Sequence, residues 1–104
     1  MMSKEQMIGD KIYAMREWID LQIAGIKSHN KPITVNSNEW VELIDMAMEI
    51  EETAHEKFGL VDHFTITKQD NNGETYYENT EAGTHLYYEI EGEVMDKFEV
   101  IDEN

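Results

Sequence analysis

Apolar residues recur every three or four positions through the first half of the chain, and this spacing limits the fold more than any other feature of the sequence. One series consists of Ile8, Ile12, Met15, Ile19, Ile23 and Ile26. A second series consists of Trp40, Leu43, Ala47, Ile50, Ala54 and Phe58. Each series covers one side of a helix, so the sequence predicts two amphipathic helices, over about residues 3–27 and 37–58.

Residues typical of helix ends flank both series. Ser3, with a glutamine three positions later, matches a capping box, and Gly25 is a stop signal for the first helix. Asn36 or Ser37 can cap the second helix, and Gly59 ends it. The boundaries therefore agree with the periodicity.

Beyond Gly59 the apolar period changes from about 3.6 to two, which is typical of strands. Phe64 and Ile66 alternate with threonines. The same alternation occurs at Leu86, Tyr88 and Ile90. A last strand is predicted near residues 94–101, although Asp96 interrupts its apolar face and a short helix is an alternative there.

Three turn signals separate these strands. Residues 70–73 read Asp-Asn-Asn-Gly and contain the Asn-Gly pair that two-residue hairpins favour, and turns are also expected at 81–83 and 91–93. The predicted fold class is α+β, with two N-terminal helices packed on one face of a C-terminal four-stranded antiparallel β-meander over about residues 61–102. At this length we expect a single domain spanning residues 1–104.

Negative charge is concentrated in the later part of the chain. The formal net charge is −15 at pH 7. Residues 1–36 hold five basic and four acidic residues, whereas residues 37–104 hold nineteen acidic residues and three lysines. Such a surface argues against direct binding to nucleic acid or to an anionic membrane, and it favours a basic partner.

Five acidic residues form a row on the second predicted helix. They are spaced by three or four positions, opposite the apolar series, and we call them the acidic ridge: Glu42, Asp45, Glu49, Glu52 and Glu56. The ridge is about 21 Å long, with a carboxylate about every 5 Å. This spacing resembles a row of phosphates, although an ordinary solvated helix face is the alternative explanation.

The predicted strands place more acidic and aromatic residues near the ridge. We expect Glu89 and Glu91 to extend the row and Tyr87 to contribute an outward-facing ring, because tyrosine is enriched at interfaces. Routine cross-strand packing explains the tyrosines equally well.

Motifs for catalysis, cofactors or metals are incomplete. The chain has no cysteine, and its histidines lack the spacing of a metal site. Glu52 and His55 have the spacing of a di-iron ligand pair, and Glu51 and His55 are four positions apart, but two helices cannot complete a di-iron site. We therefore interpret these as local side-chain pairs, and we predict no enzyme activity, cofactor or metal.

The sequence thus favours a small acidic inhibitor that mimics nucleic acid and occludes the DNA- or RNA-binding site of a basic protein or nuclease. Anti-restriction, anti-CRISPR and nucleoid or polymerase antagonists belong to this class. The alternative is an immunity or antitoxin-type protein that neutralises a basic toxin at an exosite. No run of residues is long and apolar enough for a membrane span, so we expect a cytoplasmic protein, in the host cell if a phage encodes it.

A homodimer is a further expectation. The first helix carries Tyr13, Trp18 and Leu21 outside its isoleucine series, and its charge is nearly balanced. A second copy of the chain could pack there and lengthen the acidic track.

Overall fold

Helices dominate the computed structural model, which describes residues 3–27 and 31–102. In chain order the elements are α1 (Lys4–Ala24), β1 (Ile33–Thr34), α2 (Asn38–Lys57), α3 (Val61–Phe64), β2 (Thr65–Gln69), β3 (Thr75–Asn79), α4 (Glu81–Met95) and β4 (Val100–Ile101). β2 and β3 form an antiparallel hairpin, and β1 and β4 form a separate parallel pair.

The two predicted N-terminal helices are confirmed, and their caps explain where they begin. The Ser3 hydroxyl accepts a hydrogen bond from the Gln6 backbone N–H, and the Gln6 side chain accepts one from the Ser3 backbone. The Ser37 hydroxyl accepts from the backbone N–H of Trp40 at 3.2 Å. These bonds satisfy backbone donors that a helix start otherwise leaves unpaired. α1 ends at Ala24, three residues earlier than expected.

The predicted four-stranded meander is wrong, because residues 81–95 form helix α4. The Thr80 hydroxyl caps this helix by accepting from the Gly83 backbone N–H at 3.1 Å. The buried residues of α4 are spaced by three or four positions, as a helix requires: Gly83, Leu86, Ile90 and Val94. The alternation over residues 86–90 is part of this helical series and is too short to distinguish a strand from a helix. The turns expected at 81–83 and 91–93 lie inside α4.

The hairpin predicted around residues 70–73 is confirmed, but its turn is longer than expected. The Asp70 backbone N–H donates to the Glu74 carbonyl at 2.9 Å, and the Gly73 N–H donates to the Asp70 carbonyl at 3.0 Å. Three residues therefore form the loop, and Gly73 adopts a φ of +80°, which glycine accepts without steric strain.

The last predicted strand is reduced to two residues. Val94 and Met95 belong to α4, where Val94 is fully buried, and only Val100 and Ile101 form a strand. They pair with β1 in parallel, with Ile33 opposite Val100. The extended connector between α1 and α2 is thereby fixed by the end of the chain.

The core forms where α1 and α4 pack against α2. It contains residues from every helix, from β1 and from the connection between α2 and α3: Met15, Ile19, Ile23, Ile33, Leu43, Ala47, Ile50, Ala54, Leu60, Phe64, Leu86, Ile90 and Val94. α2 contacts α1, α3, α4 and β1, so the side chains on its remaining surface are held by a well-packed helix. Within the described ranges, no helix has both the length and the apolar character that crossing a bilayer requires.

Candidate partner-binding surface and the Glu51–His55 groove

The acidic ridge lies on the exposed side of α2. All five of its residues, Glu42, Asp45, Glu49, Glu52 and Glu56, are exposed. The apolar residues of the same helix, Leu43, Ala47, Ile50 and Ala54, are buried on the opposite side. Because α2 is a regular helix over 20 residues, the five carboxylates follow one line along its surface.

The ridge carboxylates have no cationic contact in the described part of the chain. The ion pairs there join Arg16 to Glu89, Glu51 to His55, Lys68 to Glu78 and Glu81 to His85. None of them includes a ridge residue, so the charges of the ridge are open to an external cation. In the same described residues, no group of three or more metal-ligating side chains is assembled.

The predicted extension of the ridge changes in two ways. Glu89, Glu91 and Tyr87 lie on α4 and not on a strand. Glu89 forms an ion pair with Arg16 of α1 at 2.8 Å, so a cation of the molecule itself contacts its carboxylate.

Tyr87 lies beside the ridge, in a contact between helices that the sequence did not predict. Tyr87 and Glu91 are both half-buried, and the Tyr87 side chain is hydrogen-bonded to Glu91. Since α4 packs on α2, Tyr87 lines a groove together with Glu52 and Glu56, the last two residues of the ridge.

This groove is an open cavity of about 890 Å³. It is lined by α2, by the segment from α3 to β3, and by α4. The side chains that matter for its chemistry are Glu51, Glu52, His55, Glu56, Tyr77 and Tyr87. Acidic and aromatic groups therefore dominate a concave surface at the C-terminal half of the ridge.

Glu51 and His55 are the buried polar residues of the groove. Only 5% of Glu51 and 3% of His55 are exposed. The His55 Nε2 atom lies 3.7 Å from a carboxylate oxygen of Glu51, which is too far for a hydrogen bond, and it has no partner elsewhere in the described chain. The imidazole ring stacks on Phe64 with centroids 4.7 Å apart, which fixes its orientation.

Burial changes the protonation of both groups. Burial, reinforced by the charge of Glu52, raises the pKa of Glu51 to about 7, although a hydrogen bond with Asn79 opposes the shift. Burial lowers the pKa of His55, so its imidazole is neutral at pH 7. Burial is the largest cause that raises the pKa of Tyr87 to about 12, and the hydrogen bond and the charge of Glu91 shift the pKa in the same direction.

The sequence analysis identified Glu51 and His55 as a local pair but missed their burial. Both residues adjoin the apolar series, directly after Ile50 and Ala54. Their position next to the apolar series indicates burial only if another helix covers this side of α2. Because α4 was not predicted, the sequence did not reveal that they are buried. Glu81 and His85 have the same spacing on α4, yet both remain exposed because nothing packs over them.

A second cavity of about 410 Å³ lies on the other side of the ridge. Apolar side chains of α1 and α2 line it, among them Leu21, Leu43 and Met46, and Glu42 stands at its edge. Ridge residues therefore line both cavities, Glu42 this one and Glu52 and Glu56 the groove.

Comparisons with protein-family models, with curated proteins and with solved structures find no match to this chain.

Proposed function

We propose that this protein is a non-enzymatic acidic inhibitor that places the ridge of α2 in the nucleic-acid-binding site of a basic protein. A restriction or CRISPR nuclease, a nucleoid protein and a polymerase subunit are targets of the required chemistry. Such targets act in the cytoplasm, where we expect this protein to act. The observation that carries the proposal is a row of five exposed carboxylates without a cationic partner in the described chain.

The dimensions of the ridge support this proposal. Along α2 a carboxylate recurs about every 5 Å over about 21 Å. Phosphates recur about every 3.4 Å along one DNA strand, so a basic groove that holds a backbone can hold a row of slightly sparser charge. The large negative charge of residues 37–104 would also accelerate the encounter with such a groove.

The energetic cost of the ridge is a second argument. Neighbouring like charges at this spacing destabilise a helix by about 0.2–0.5 kcal/mol per pair. Lysines placed between the acids would give solubility and helix stability together. A role outside folding explains why the row is purely acidic.

Charge reversal on the ridge tests the proposal. The double variant Glu49→Lys/Glu52→Lys should fail to retain basic nucleic-acid-binding proteins from a lysate of the source organism at low salt. Wild-type protein should retain them, and an added DNA duplex of about 20 base pairs should release them, because both ligands use one site. Mass spectrometry of the retained fraction provides the readout.

The matched control is Glu74→Lys/Glu99→Lys, which makes the same change in net charge at two exposed positions away from α2. It should retain the same proteins as wild type. Equal loss of binding in both double variants would show that net charge, and not the ridge, attracts the partner. Retention of the same proteins by the ridge variant would contradict the proposal outright.

A second candidate is an immunity or antitoxin-type protein that neutralises a basic toxin away from its nucleic-acid groove. Exposed tyrosines on the hairpin favour this candidate, since Tyr76 and Tyr77 are 45% and 70% exposed and lie off the ridge. In this case a ternary complex with DNA still bound should form, and added DNA should not release the partner.

A further inference from the structure

The groove beside the ridge contains two buried groups that can accept hydrogen bonds from a ligand, the Glu51 carboxylate and the His55 imidazole. A neutral imidazole has one nitrogen that accepts a hydrogen bond and one that donates, and an ionised carboxylate only accepts. His55 Nε2 has no partner within the described residues and is 3.7 Å from the Glu51 carboxylate. Burying the Nε2 atom without a partner costs free energy, which a suitable ligand would recover.

The chemistry of the lining specifies that ligand. Neither lysine nor arginine contributes to the lining of the groove, whereas Glu51, Glu52 and Glu56 do. Glu78, the other acid there, is already paired with Lys68. Tyr77 and Tyr87 add aromatic rings beside these carboxylates. A cation with several N–H donors can bond to two nearby acceptors and lie against a ring at the same time.

We propose that this groove binds an alkylguanidinium or alkylammonium group, which donates hydrogen bonds to the Glu51 carboxylate and to His55 Nε2. The group can belong to an arginine or lysine side chain of a protein or to a free polyamine, since both present the same chemistry. The site goes beyond the proposed function, because it is a pocket for one cation and not a charged row, and small probes can test it without the inhibited partner.

The protonation of Glu51 supports this assignment. In the empty groove burial raises its pKa to about 7, and a bound cation favours the ionised form. The other titratable groups that face the groove are Glu52, His55 and Glu56 of α2, Tyr77 and Glu78 of β3, and Tyr87 of α4. If binding requires ionised Glu51, affinity should rise about tenfold from about pH 6 to about pH 8.

Titration of the full chain with agmatine and with spermidine tests the site. Calorimetry at low salt gives the affinity, and amide NMR shifts of Thr65 and Asn79, which line the groove, report its location. Wild-type protein should bind both probes saturably and with the expected pH profile. Hexamethonium has the two positive charges of agmatine but no N–H donor, and it should bind at least tenfold more weakly.

Two variants examine the two acceptors. Glu51→Gln keeps the shape of the side chain and should weaken agmatine binding at pH 8 at least tenfold, with loss of the pH dependence. His55→Phe keeps the stacking on Phe64 but removes Nε2, and it should weaken binding several-fold. The control is Glu81→Gln, which makes the same charge change in the exposed pair on α4 and should leave binding unchanged.

Capped arginine amide and spermidine, compared at equal ionic strength, identify the source of the cation. Tighter binding of the arginine derivative assigns the groove to a protein side chain, and tighter binding of spermidine assigns it to a free polyamine. The proposal is overturned if hexamethonium binds as well as agmatine, or if Glu51→Gln and His55→Phe both bind like wild type. It is also overturned if added Zn²⁺ shifts the amide signals of Thr65 and Asn79 while agmatine and spermidine do not. Glu51→Gln leaves all five ridge residues in place, so agmatine binding can be lost in this variant while the ridge still retains basic proteins, and the two proposals can fail separately.

Discussion

At the scale of single residues, Gly83 holds the start of α4 against the end of α3. A Cβ atom at this position would lie 2.1 Å from the Phe64 carbonyl oxygen, which is far inside a normal contact. That oxygen belongs to the backbone, so it cannot turn aside as a side chain would. This close approach brings α4 onto the same side of α2 as Glu51 and His55.

We therefore predict that Gly83→Ala destabilises the protein by more than about 2 kcal/mol, because overpacking against backbone forces a helix to shift. Gly92 in the same helix is the control, since a Cβ there would meet nothing within 4 Å. Gly92→Ala should stabilise by about 0.5–1 kcal/mol through helix propensity. Urea unfolding measures both, and equal effects of the two substitutions would contradict the packing of α4 on Phe64.

Glu51 should make stability depend on pH in a direction that its burial determines. Folding raises the pKa of its carboxyl from the ordinary 4.5 to about 7, so the folded state binds the proton more tightly. The contribution to the free energy of unfolding is fully present below about pH 4.5 and is lost as pH rises towards about 7.

The prediction is that wild type loses up to about 3 kcal/mol between about pH 4 and about pH 8 relative to Glu51→Gln, which has no proton to release. Urea unfolding of both proteins across this range measures the difference, and repulsion among the other carboxylates cancels in the comparison. A constant difference across this range would mean that Glu51 is solvated in the folded protein.

At the scale of elements, the acidic ridge should reduce the stability of α2. Glu49 has like-charged neighbours at Asp45 and Glu52, four and three positions away. We predict that Glu49→Lys stabilises the protein by about 1 kcal/mol at low salt, because two repulsions become two attractions. Glu49→Gln should give about half of this gain.

Urea unfolding at about 20 mM and about 500 mM salt provides the measurement, since screening should shrink both gains. The same substitution should weaken the binding proposed for the ridge, so stability and function would move in opposite directions. A loss of stability in Glu49→Lys would mean that these carboxylates are not repelling one another on one face of the helix.

The elements also show which parts of the fold the sequence could reveal. α1 and α2 were predictable because each has a long apolar series and a local cap, such as Ser3 or Ser37. α4 was not, because the few residues from 86 to 90 fit both a period of two and a period of 3.6. Two residues outside this short stretch favour the helix. Thr80 caps it, and Val94 continues its buried series.

The two candidate sites, the ridge and the groove, also differ in how far the sequence could predict them. The ridge depends only on α2 being a helix, so spacing along the sequence was enough to place its five carboxylates together. The groove depends on contacts between residues far apart in sequence, such as Glu51 and Tyr87, which meet only because α4 packs on α2. A local pattern contains no such information.

At the scale of the whole molecule, the chain is thin and exposes much surface. Its extents are 51 × 40 × 19 Å and its radius of gyration is 16.2 Å. A compact domain of this length has a radius of about 13 Å. Its accessible surface is 7693 Å². A typical monomer of this mass exposes about 6,000 Å².

Part of this surface is apolar and lies on α1. Met7, Tyr13 and Leu21 are 49%, 68% and 69% exposed there. The acidic and basic residues of this segment are nearly balanced, unlike those of the rest of the chain. Two copies of a chain with a charge of −15 can approach each other with the least repulsion through this helix.

We therefore predict a dimer that forms through α1 and strengthens as salt rises, because screening removes the repulsion between copies while apolar contacts remain. Analytical ultracentrifugation at about 50 mM and about 500 mM salt should show a larger dimer fraction at high salt. Leu21→Glu should abolish the dimer, and Tyr88→Glu, at a similarly exposed position on α4, should not. Binding of a basic partner to the ridge must show the opposite dependence and weaken with salt. A monomer at both salt concentrations would contradict dimerisation through α1.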